Sequence, residues 1–191
     1  MRNRTLLTCL SLSLTTVTPV GAQVADHAPL EPAEARVAAF GAALYNAQAN
    51  LQEATDTAKA ALATTVLHAT LAKLLPGQLA DTAALEAAGR SAAALSAGGQ
   101  NCNVIVACAR AAAEAVGARW VVLAKVSKTS NLIWLLTAQL IHAPSGTIIL
   151  DDSTELKGEP EAMVRVGIRI FAERVARTVR ARGVTTNFPT P

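Results

Sequence analysis

"ARWVVLAKVSKTSNLIWLLTAQLI", residues 118–141, is the stretch of the sequence that says most about its fold. Two runs rich in β-branched and aromatic residues flank the polar stretch SKTSN, residues 127–131, and this pattern predicts a β-hairpin. If the pairing centres on Thr129, one face of the hairpin is apolar throughout and requires a layer of helices over it. The residues placed on this face are Trp120, Val122, Ala124, Val126, Leu132, Trp134, Leu136 and Ala138.

The opposite face of the hairpin mixes apolar and polar residues. It combines the polar residues Lys125, Thr137 and Gln139 with the apolar residues Val121, Leu123, Ile133 and Leu135. Because a face of this composition tolerates water, we expect it to be partly solvated.

Downstream of the hairpin, the sequence predicts a third strand and a long final helix. HAPSGT, residues 142–147, has the Pro and Gly of a turn and leads into IILDDSTEL, residues 148–156, a strand that becomes acidic at its end. Pro160 is tolerated in the first turn of a helix, and the helix that it opens ends at Gly183. Helical spacing gives this helix one buried stripe, formed by Val164, Ile168, Phe171, Val175 and Val179.

Upstream of the hairpin, the predicted elements begin with a strand and a helix. The apolar run 35–44 fits a first strand, and the segment 51–75 fits a helix that stops at Pro76-Gly77. Residues 78–101 fit either a short strand followed by a loop or two Ala-rich helical turns; we count a second strand there in the order of elements and leave open whether the segment forms it.

A further helix precedes the hairpin, and with it the fold class follows. Asn103 predicts the N-cap of a helix that runs to Val116 and closes at Gly117. The sequence therefore predicts a single α/β (α+β) domain over residues 35–183. Its mixed sheet ends in a C-terminal three-stranded meander and is covered by about three helices.

The first 22 residues predict export from the cytoplasm. Arg2 and Arg4 precede an apolar core that is too short for a stable membrane anchor, and small residues end at Ala22. We expect a signal peptide over residues 1–22 that is removed when the protein reaches the periplasm.

Removal of the signal peptide leaves a nearly neutral chain. The net charge falls from +3 to +1, with 15 Lys and Arg against 14 Asp and Glu, so we expect no nucleic-acid partner. The rest of the sequence has no uncharged apolar run long enough for a membrane helix, and we expect no transmembrane anchor after cleavage. Residues 23–34 fit a flexible tether, and residues 184–191 fit a flexible tail.

Residues 102–158, "CNVIVACARAAAEAVGARWVVLAKVSKTSNLIWLLTAQLIHAPSGTIILDDSTELKG", resemble a proteobacterial secreted family of unknown function. They are also distantly similar to the small α/β domain at the N-terminus of TolB and in the curli-secretion protein CsgG. The shared pattern is a helix that ends at Gly117-Ala118, a strand from Trp120, and the turn Ser145-Gly146. The resemblance extends over residues 35–182. It implies a role in envelope assembly, secretion or protein contact, and it offers no catalytic residues.

Cys102 and Cys108 remain after the signal peptide, which holds Cys9, is removed. Inside one continuous helix, positions six apart lie about 9 Å apart along the axis, which is too far for a disulfide. If Asn103 is the N-cap, Cys102 lies outside the helix and the chain can fold back so that the sulfur atoms meet. We expect a structural disulfide in the oxidising periplasm. Two free buried thiols, or a redox or metal role, are the alternatives.

The sequence contains no recognisable catalytic set. It lacks the Gly-x-Ser-x-Gly, Gly-x-Gly-x-x-Gly and Walker lysine motifs. His27, His68 and His142 stand far apart, and each has a plain structural interpretation. The acidic residues of the third strand fit protection of a sheet edge better than cation binding. We therefore expect that the protein is not an enzyme and that it binds neither a metal ion nor a cofactor.

These features favour a non-enzymatic envelope protein that binds another protein. One candidate surface is the edge of the strand at residues 148–156, which can accept a partner strand. The second is the basic face of the final helix, formed by Arg165, Arg169, Arg177 and Arg180. The sequence leaves the identity of the partner and the oligomeric state open.

The alternative function is a periplasmic accessory protein that binds a small molecule or an ion. This alternative predicts a pocket beside Trp120 or Trp134, or the convergence of His142 with Asp151 and Asp152.

Overall fold

A computed structural model of the chain describes residues 36–47, 54–95, 101–130 and 132–183. The predicted signal peptide, tether and C-terminal tail, together with His27, therefore lie outside the described residues.

Within these ranges, five strands and four helices follow one another along the chain. They are β1 (Val37–Ala39), β2 (Ala43–Asn46), α1 (Ala54–Leu74), α2 (Thr82–Leu95), α3 (Val106–Ala115), β3 (Trp120–Lys128), β4 (Trp134–His142), β5 (Ile148–Leu156) and α4 (Pro160–Gly183). None of these helices is long and apolar enough to cross a membrane.

The strands form one mixed sheet, as the sequence predicts. The short strands β1 and β2 both run parallel to β3, while β3, β4 and β5 form the predicted antiparallel meander. β3 therefore occupies the centre of the sheet, and β5 forms its outer border.

The register of the hairpin differs from the expected one. Trp120 pairs with His142 and Lys128 pairs with Trp134, so the hairpin centres on position 131 instead of Thr129. Moving the centre of pairing from one residue to another leaves every side chain on its original face of the hairpin, because the paired residues still have the same parity. The strand residues predicted for the core face therefore still share it. Leu132 is the exception, because it lies in the turn and is 89% exposed.

The larger core lies between the sheet and the helices α1 and α4. The apolar face of the hairpin contacts Leu67 and Leu71 of α1 and the buried stripe of α4. The stripe predicted for α4 is confirmed, since each of its members is buried: Val164, Ile168, Phe171, Val175 and Val179.

The other face of the sheet is covered only in part, by α2 and α3. Val121 and Ile141 pack against Leu85 of α2 and the alanines of α3. Lys125, Thr137 and Gln139 lie beyond these helices and remain partly exposed. On the face that the sequence predicts to be partly solvated, α2 and α3 therefore cover one part of the sheet, and the part with the polar residues is open to solvent.

The prediction of a strand within residues 78–101 is wrong, because most of this segment forms α2. Leu79 makes an isolated bridge to Val37 and nothing longer. Asp81 then caps the helix, since its Oδ1 accepts a hydrogen bond from the backbone N–H of Ala84 at 2.8 Å. Because the following residues are mainly Ala, Leu and Glu, helix propensity decides the outcome.

The cap predicted at Asn103 is also wrong. α3 begins at Val106, and its N-cap Ile105 makes no side-chain capping hydrogen bond. The Nδ2 of Asn103 instead donates to the carbonyl oxygen of Gly41 at 3.3 Å, which ties this turn to the β1–β2 segment. The predicted end of the helix is confirmed, because Gly117 has φ +66°.

Candidate functional site

Among the strands that the structure describes, β5 borders the sheet and has one unpaired edge. It bonds β4 on one side, and no other described strand lies on the far side. Eight of its nine residues, Ile148–Leu156, are at least partly exposed. An edge strand of this length presents unpaired backbone N–H and C=O groups, on which a second extended chain can pair. The strand that the sequence suggests as a partner edge is therefore accessible.

The two faces of β5 differ in their charge environment. The register with β4 places Asp152 and Thr154 on the face that α4 covers. Asp151, Ser153 and Glu155 lie on the opposite face, and all three are exposed. The acidic side chains of this second face therefore point towards solvent.

A groove of about 450 Å³ runs between β5 and α4. Met163, Val166 and Ile170 form its helical wall, while Leu136 and Phe171 contribute apolar surface beneath. Val166 is 45% exposed and Ile170 is 46% exposed, although both are large and apolar. An apolar surface thus lies directly beside the open edge of the sheet.

One ion pair links the two walls of this groove. The Nη1 of Arg174 on α4 donates to both carboxylate oxygens of Asp152 on β5. The side chains are 41% and 24% exposed, so water screens the pair and its contribution to stability is modest. Since Arg174 compensates the charge of Asp152, the acidic charge of β5 that stays open to a partner lies on the opposite face.

The four arginines proposed from the sequence as a partner surface all lie exposed on α4. They are Arg165, Arg169, Arg177 and Arg180. Two of them are engaged within the fold. The Nη1 of Arg169 lies 2.9 Å from the Oε1 of Glu173, and Arg180 donates to the carbonyl oxygen of Leu74 at the end of α1. This face of α4 therefore carries both positive and negative charges, and two of its four arginines already bind groups of the same protein.

Cys102 and Cys108 form a disulfide in the structure, with their Cα atoms 4.8 Å apart. Cys102 precedes α3, Cys108 lies in its first turn, and both residues are buried. The Sγ of Cys102 also lies 3.3 Å from the carbonyl oxygen of Gly89 on α2. The bond thus joins the start of α3 to the turn that packs on α2.

Replacing both cysteines by serine is expected to lower the free energy of unfolding by about 2 to 3 kcal/mol, because a short closed loop no longer restricts the unfolded chain. Urea denaturation without reductant measures this loss. Dithiothreitol should destabilise the wild-type protein by a similar amount and leave the Cys102→Ser/Cys108→Ser variant unchanged. An equal response of both proteins to dithiothreitol would show that the cysteines are not bonded in solution.

His142 is buried at the end of β4 and has a defined tautomer. Its Nε2 accepts a hydrogen bond from the Nε of Arg119 at 3.3 Å, so its Nδ1 carries the proton and donates to the Oγ of Ser145 at 2.8 Å. Burial lowers the pKa of the imidazole, and the positive charges of Arg119, Arg182 and Arg110 lower it further. In this tautomer the imidazole cannot take the proton of Ser145. The pair is therefore not arranged as a nucleophile and its base.

The lowered pKa of His142 predicts a loss of stability in mild acid. The unfolded chain binds a proton near the ordinary value of 6.5, whereas the folded chain does not. The contribution of His142 to the free energy of unfolding is thus complete above pH 6.5. It declines as the pH falls towards the lower pKa of the folded state. Urea denaturation at about pH 7.5 and about pH 5.5 should show a larger loss for wild type than for His142→Gln. Equal losses would contradict this assignment.

The acidic residues of β5 do not meet His142. Asp151 lies opposite Gln139 and accepts a hydrogen bond from its Nε2 at 3.2 Å, while Asp152 binds Arg174. Within the described ranges, no three His, Cys, Asp or Glu side chains gather as metal ligands. The convergence that the small-molecule or ion-binding alternative predicts is not found in this part of the chain.

The two tryptophans lie in the core and do not form the walls of an open pocket. Trp120 is 2% exposed and Trp134 is 4% exposed, and both belong to the larger core cluster. Trp120 packs against His142, with their ring centroids 5.4 Å apart. Neither ring lines the groove between β5 and α4 or the cavity between α2 and the turn that carries Cys102.

Trp134 instead faces a buried group of charges that the sequence analysis missed. The Nζ of Lys128 lies 3.1 and 3.2 Å from the carboxylate oxygens of Asp56, and both residues are buried. The Nζ of Lys59 lies 4.9 Å from the centre of the Trp134 ring. One signal was available, because the alternation of β3 places Lys128 on the core face. No local pattern identifies Asp56 as its partner.

A second cavity, of about 500 Å³, lies between α2 and the turn that carries Cys102. Phe40 and Leu85 supply apolar lining, and Glu86 and Arg90 contribute charged groups. Small-molecule sites are concave and combine apolar lining with placed polar groups, and this cavity offers both, although its lining is as polar as it is apolar. This cavity is therefore where the alternative function has its geometric support.

The fold and the β5 edge define a small mixed α/β domain with an open sheet border beside a helical groove. The chain belongs to the DUF3280 family, described as "Protein of unknown function (DUF2380)", whose model matches residues 35–175. Membership of a family of unknown function is thereby confirmed, whereas the similarity to TolB and CsgG stays a prediction. No curated protein matches the chain.

Several solved structures align with the chain at low identity. LpoB from Escherichia coli, solved by NMR, is 21% identical over 65% of this chain and 57% of its own, with a TM-score of 0.46. The PelC dodecamer from Paraburkholderia phytofirmans is 14% identical over 77% and 88%, with a TM-score of 0.40. Lipoprotein GNA1162 from Neisseria meningitidis is 12% identical over 75% and 98%, with a TM-score of 0.43. The chain spans less than two thirds of LpoB, and similarities at these TM-scores carry no argument about function.

Proposed function

We propose that this protein is an exported, non-enzymatic domain of the cell envelope that binds another protein through the edge of β5. The observation that carries the proposal is the open border of the sheet, where nine residues, Ile148–Leu156, pair on one side only within the described chain. Extended peptides bind such borders by adding a strand, with backbone hydrogen bonds that require no special sequence.

Two features support an exported location. The first 22 residues have the charged start and short apolar core of a signal peptide. The disulfide between Cys102 and Cys108 suits an oxidising compartment such as the periplasm.

The chemistry of the described residues supports a binding role over catalysis. His142 and Ser145 are hydrogen-bonded in the tautomer that prevents proton abstraction. The acidic residues of β5 are engaged by Gln139 and Arg174 or point to solvent. The similarity to TolB and CsgG, which is a prediction from the sequence, would likewise imply protein contact.

A photo-crosslinking amino acid at Ser153 tests the proposal in the full-length protein expressed in its native host. Ser153 is exposed on β5, and Arg90 on α2 is an exposed control position far from that edge. We expect one reproducible adduct with an envelope protein from position 153 and none from position 90. Hydrogen exchange of the purified complex should then show slower exchange of the β5 amides. A partner that protects α2 and leaves β5 unprotected would contradict the proposal.

The arginine face of α4 is the second candidate surface for the same partner. Alanine substitutions at Arg165, Arg169 and Arg177 reduce its positive charge without removing buried contacts. If the affinity for the crosslinked partner is unchanged in this triple variant, the arginine face is excluded as the binding surface.

The alternative function, binding of a small molecule, rests on the cavity beside Cys102. Ala94 is an exposed residue of its lining, so Ala94→Trp should obstruct the cavity without disturbing the core. A compound that raises the Tm of the wild-type protein and not of Ala94→Trp would support this function. Tryptophan fluorescence is a poor probe here, because Trp120 and Trp134 do not line the cavity.

A further inference from the structure

We infer that the segment accepted at β5 is an extended chain in which apolar and basic residues alternate. This inference rests on the proposed function and adds the chemistry of the partner. It follows from the two different surfaces that lie on either side of the open edge.

The first surface is the groove on the α4 side. A strand added to β5 lies about 4.8 Å beyond it, and its successive side chains point to opposite faces of the sheet. Every second side chain then points towards the α4 side, where Val166 and Ile170 stand almost half exposed. Apolar side chains at these positions of the partner would bury both residues. Arg174 and Asp152 pair with each other at this groove, so they leave no uncompensated charge for the partner to match.

The second surface is the acidic face on the other side of the edge. The remaining side chains of the added strand point to the face that carries Asp151, Ser153 and Glu155. Glu155 contacts Lys157 at 3.6 Å, but the lysine side chain is 79% exposed and the pair is weak. Lys or Arg at alternate positions of the partner would lie across from or diagonal to these carboxylates.

The same charges argue against a second copy of this chain as the occupant. Antiparallel pairing of two β5 strands about their centre would place Asp151 of each copy diagonal to Asp151 and Glu155 of the other. Like charges across a strand pair are destabilising. The acidic residues thus oppose self-association of the edge and favour a basic partner, which is how specificity arises at such borders.

Labelled synthetic peptides of about ten residues, the length of a strand matching β5, test this chemistry with the full-length protein. The probe alternates Lys and Val. One control has the same composition with all Lys before all Val, and a second alternates Glu and Val. Fluorescence anisotropy measures the affinity, and hydrogen exchange reports whether the amides of Ile148–Leu156 are protected.

We expect the alternating Lys-Val peptide to bind at least about tenfold more tightly than either control and to protect β5. Ile170→Asn should weaken it about tenfold, whereas Leu95→Asn should not, since Leu95 is 91% exposed but lies at the end of α2, which does not border β5. Asp151→Asn with Glu155→Gln should weaken binding and reduce its dependence on salt.

The outcomes separate this inference from the function on which it rests. If the Glu-Val or the block peptide protects β5 as strongly, the chemistry assigned to the partner is wrong while the β5 edge remains the binding site. If no peptide protects β5, or if Ile170→Asn and Leu95→Asn behave alike, the inference is overturned. The crosslinking at Ser153 then decides independently whether β5 binds the native partner.

Discussion

Replacing Asp56 by alanine is expected to lower the free energy of unfolding by about 3 to 5 kcal/mol, the typical cost of removing one partner from a buried ion pair. The side chains of Asp56 and Lys128 are 1% and 6% exposed, so water cannot replace the lost carboxylate. Asn46 also loses an acceptor, because its Nδ2 donates to the Oδ2 of Asp56 at 3.2 Å. Urea denaturation of the wild type and the variant measures the difference.

Removing both charges should largely restore stability. In Asp56→Leu with Lys128→Met, apolar side chains of similar size fill the site and leave neither charge of the pair behind. Arg169→Ala is the matched surface control, because its pair with Glu173 is largely exposed and should change stability by less than about 1 kcal/mol. A cost for Asp56→Ala as small as that of Arg169→Ala would show that the Asp56–Lys128 pair is solvated.

Replacing Phe171 by alanine is also expected to cost about 3 to 5 kcal/mol, as for a large aromatic residue removed from a packed core. Phe171 is 2% exposed and belongs to the cluster between α4 and the sheet. Its side chain packs α4 against the sheet and also contributes to the groove beside β5. Its loss should therefore disturb the position of α4. Thermal and urea denaturation measure the effect on stability.

The neighbouring residue provides the control for this substitution. Ile170 is 46% exposed, and Ile170→Ala should cost less than about 1 kcal/mol. Adjacent positions of one helix thus separate the two roles of α4, with Phe171 holding the helix on the sheet and Ile170 presenting apolar surface to a partner. Similar costs at both positions would mean that Ile170 is buried in solution.

The elements with strong periodicity were predictable from the sequence. The alternation from Trp120 to Lys128 and from Trp134 onwards identifies the core face of the hairpin even though the assumed centre of pairing is wrong, since faces depend only on parity. The stripe of α4 follows from helical spacing in the same way. Segments without a clear period were predicted less well. The sequence of the Ala-rich stretch that forms α2 is compatible with a short strand and a loop as well as with a helix.

The mixed sheet with its meander, the long final helix and the core-facing side chains of these elements were all predictable from the sequence. These features depend on local alternation and spacing along the chain. Three other features become apparent only in the folded chain: Asp56 pairs with Lys128, His142 lies among arginines instead of acids, and β5 borders an apolar groove on α4. Each of these depends on which distant segments become neighbours. Local periodicity sets the direction of a side chain, but it carries no information about what the folded chain places opposite it.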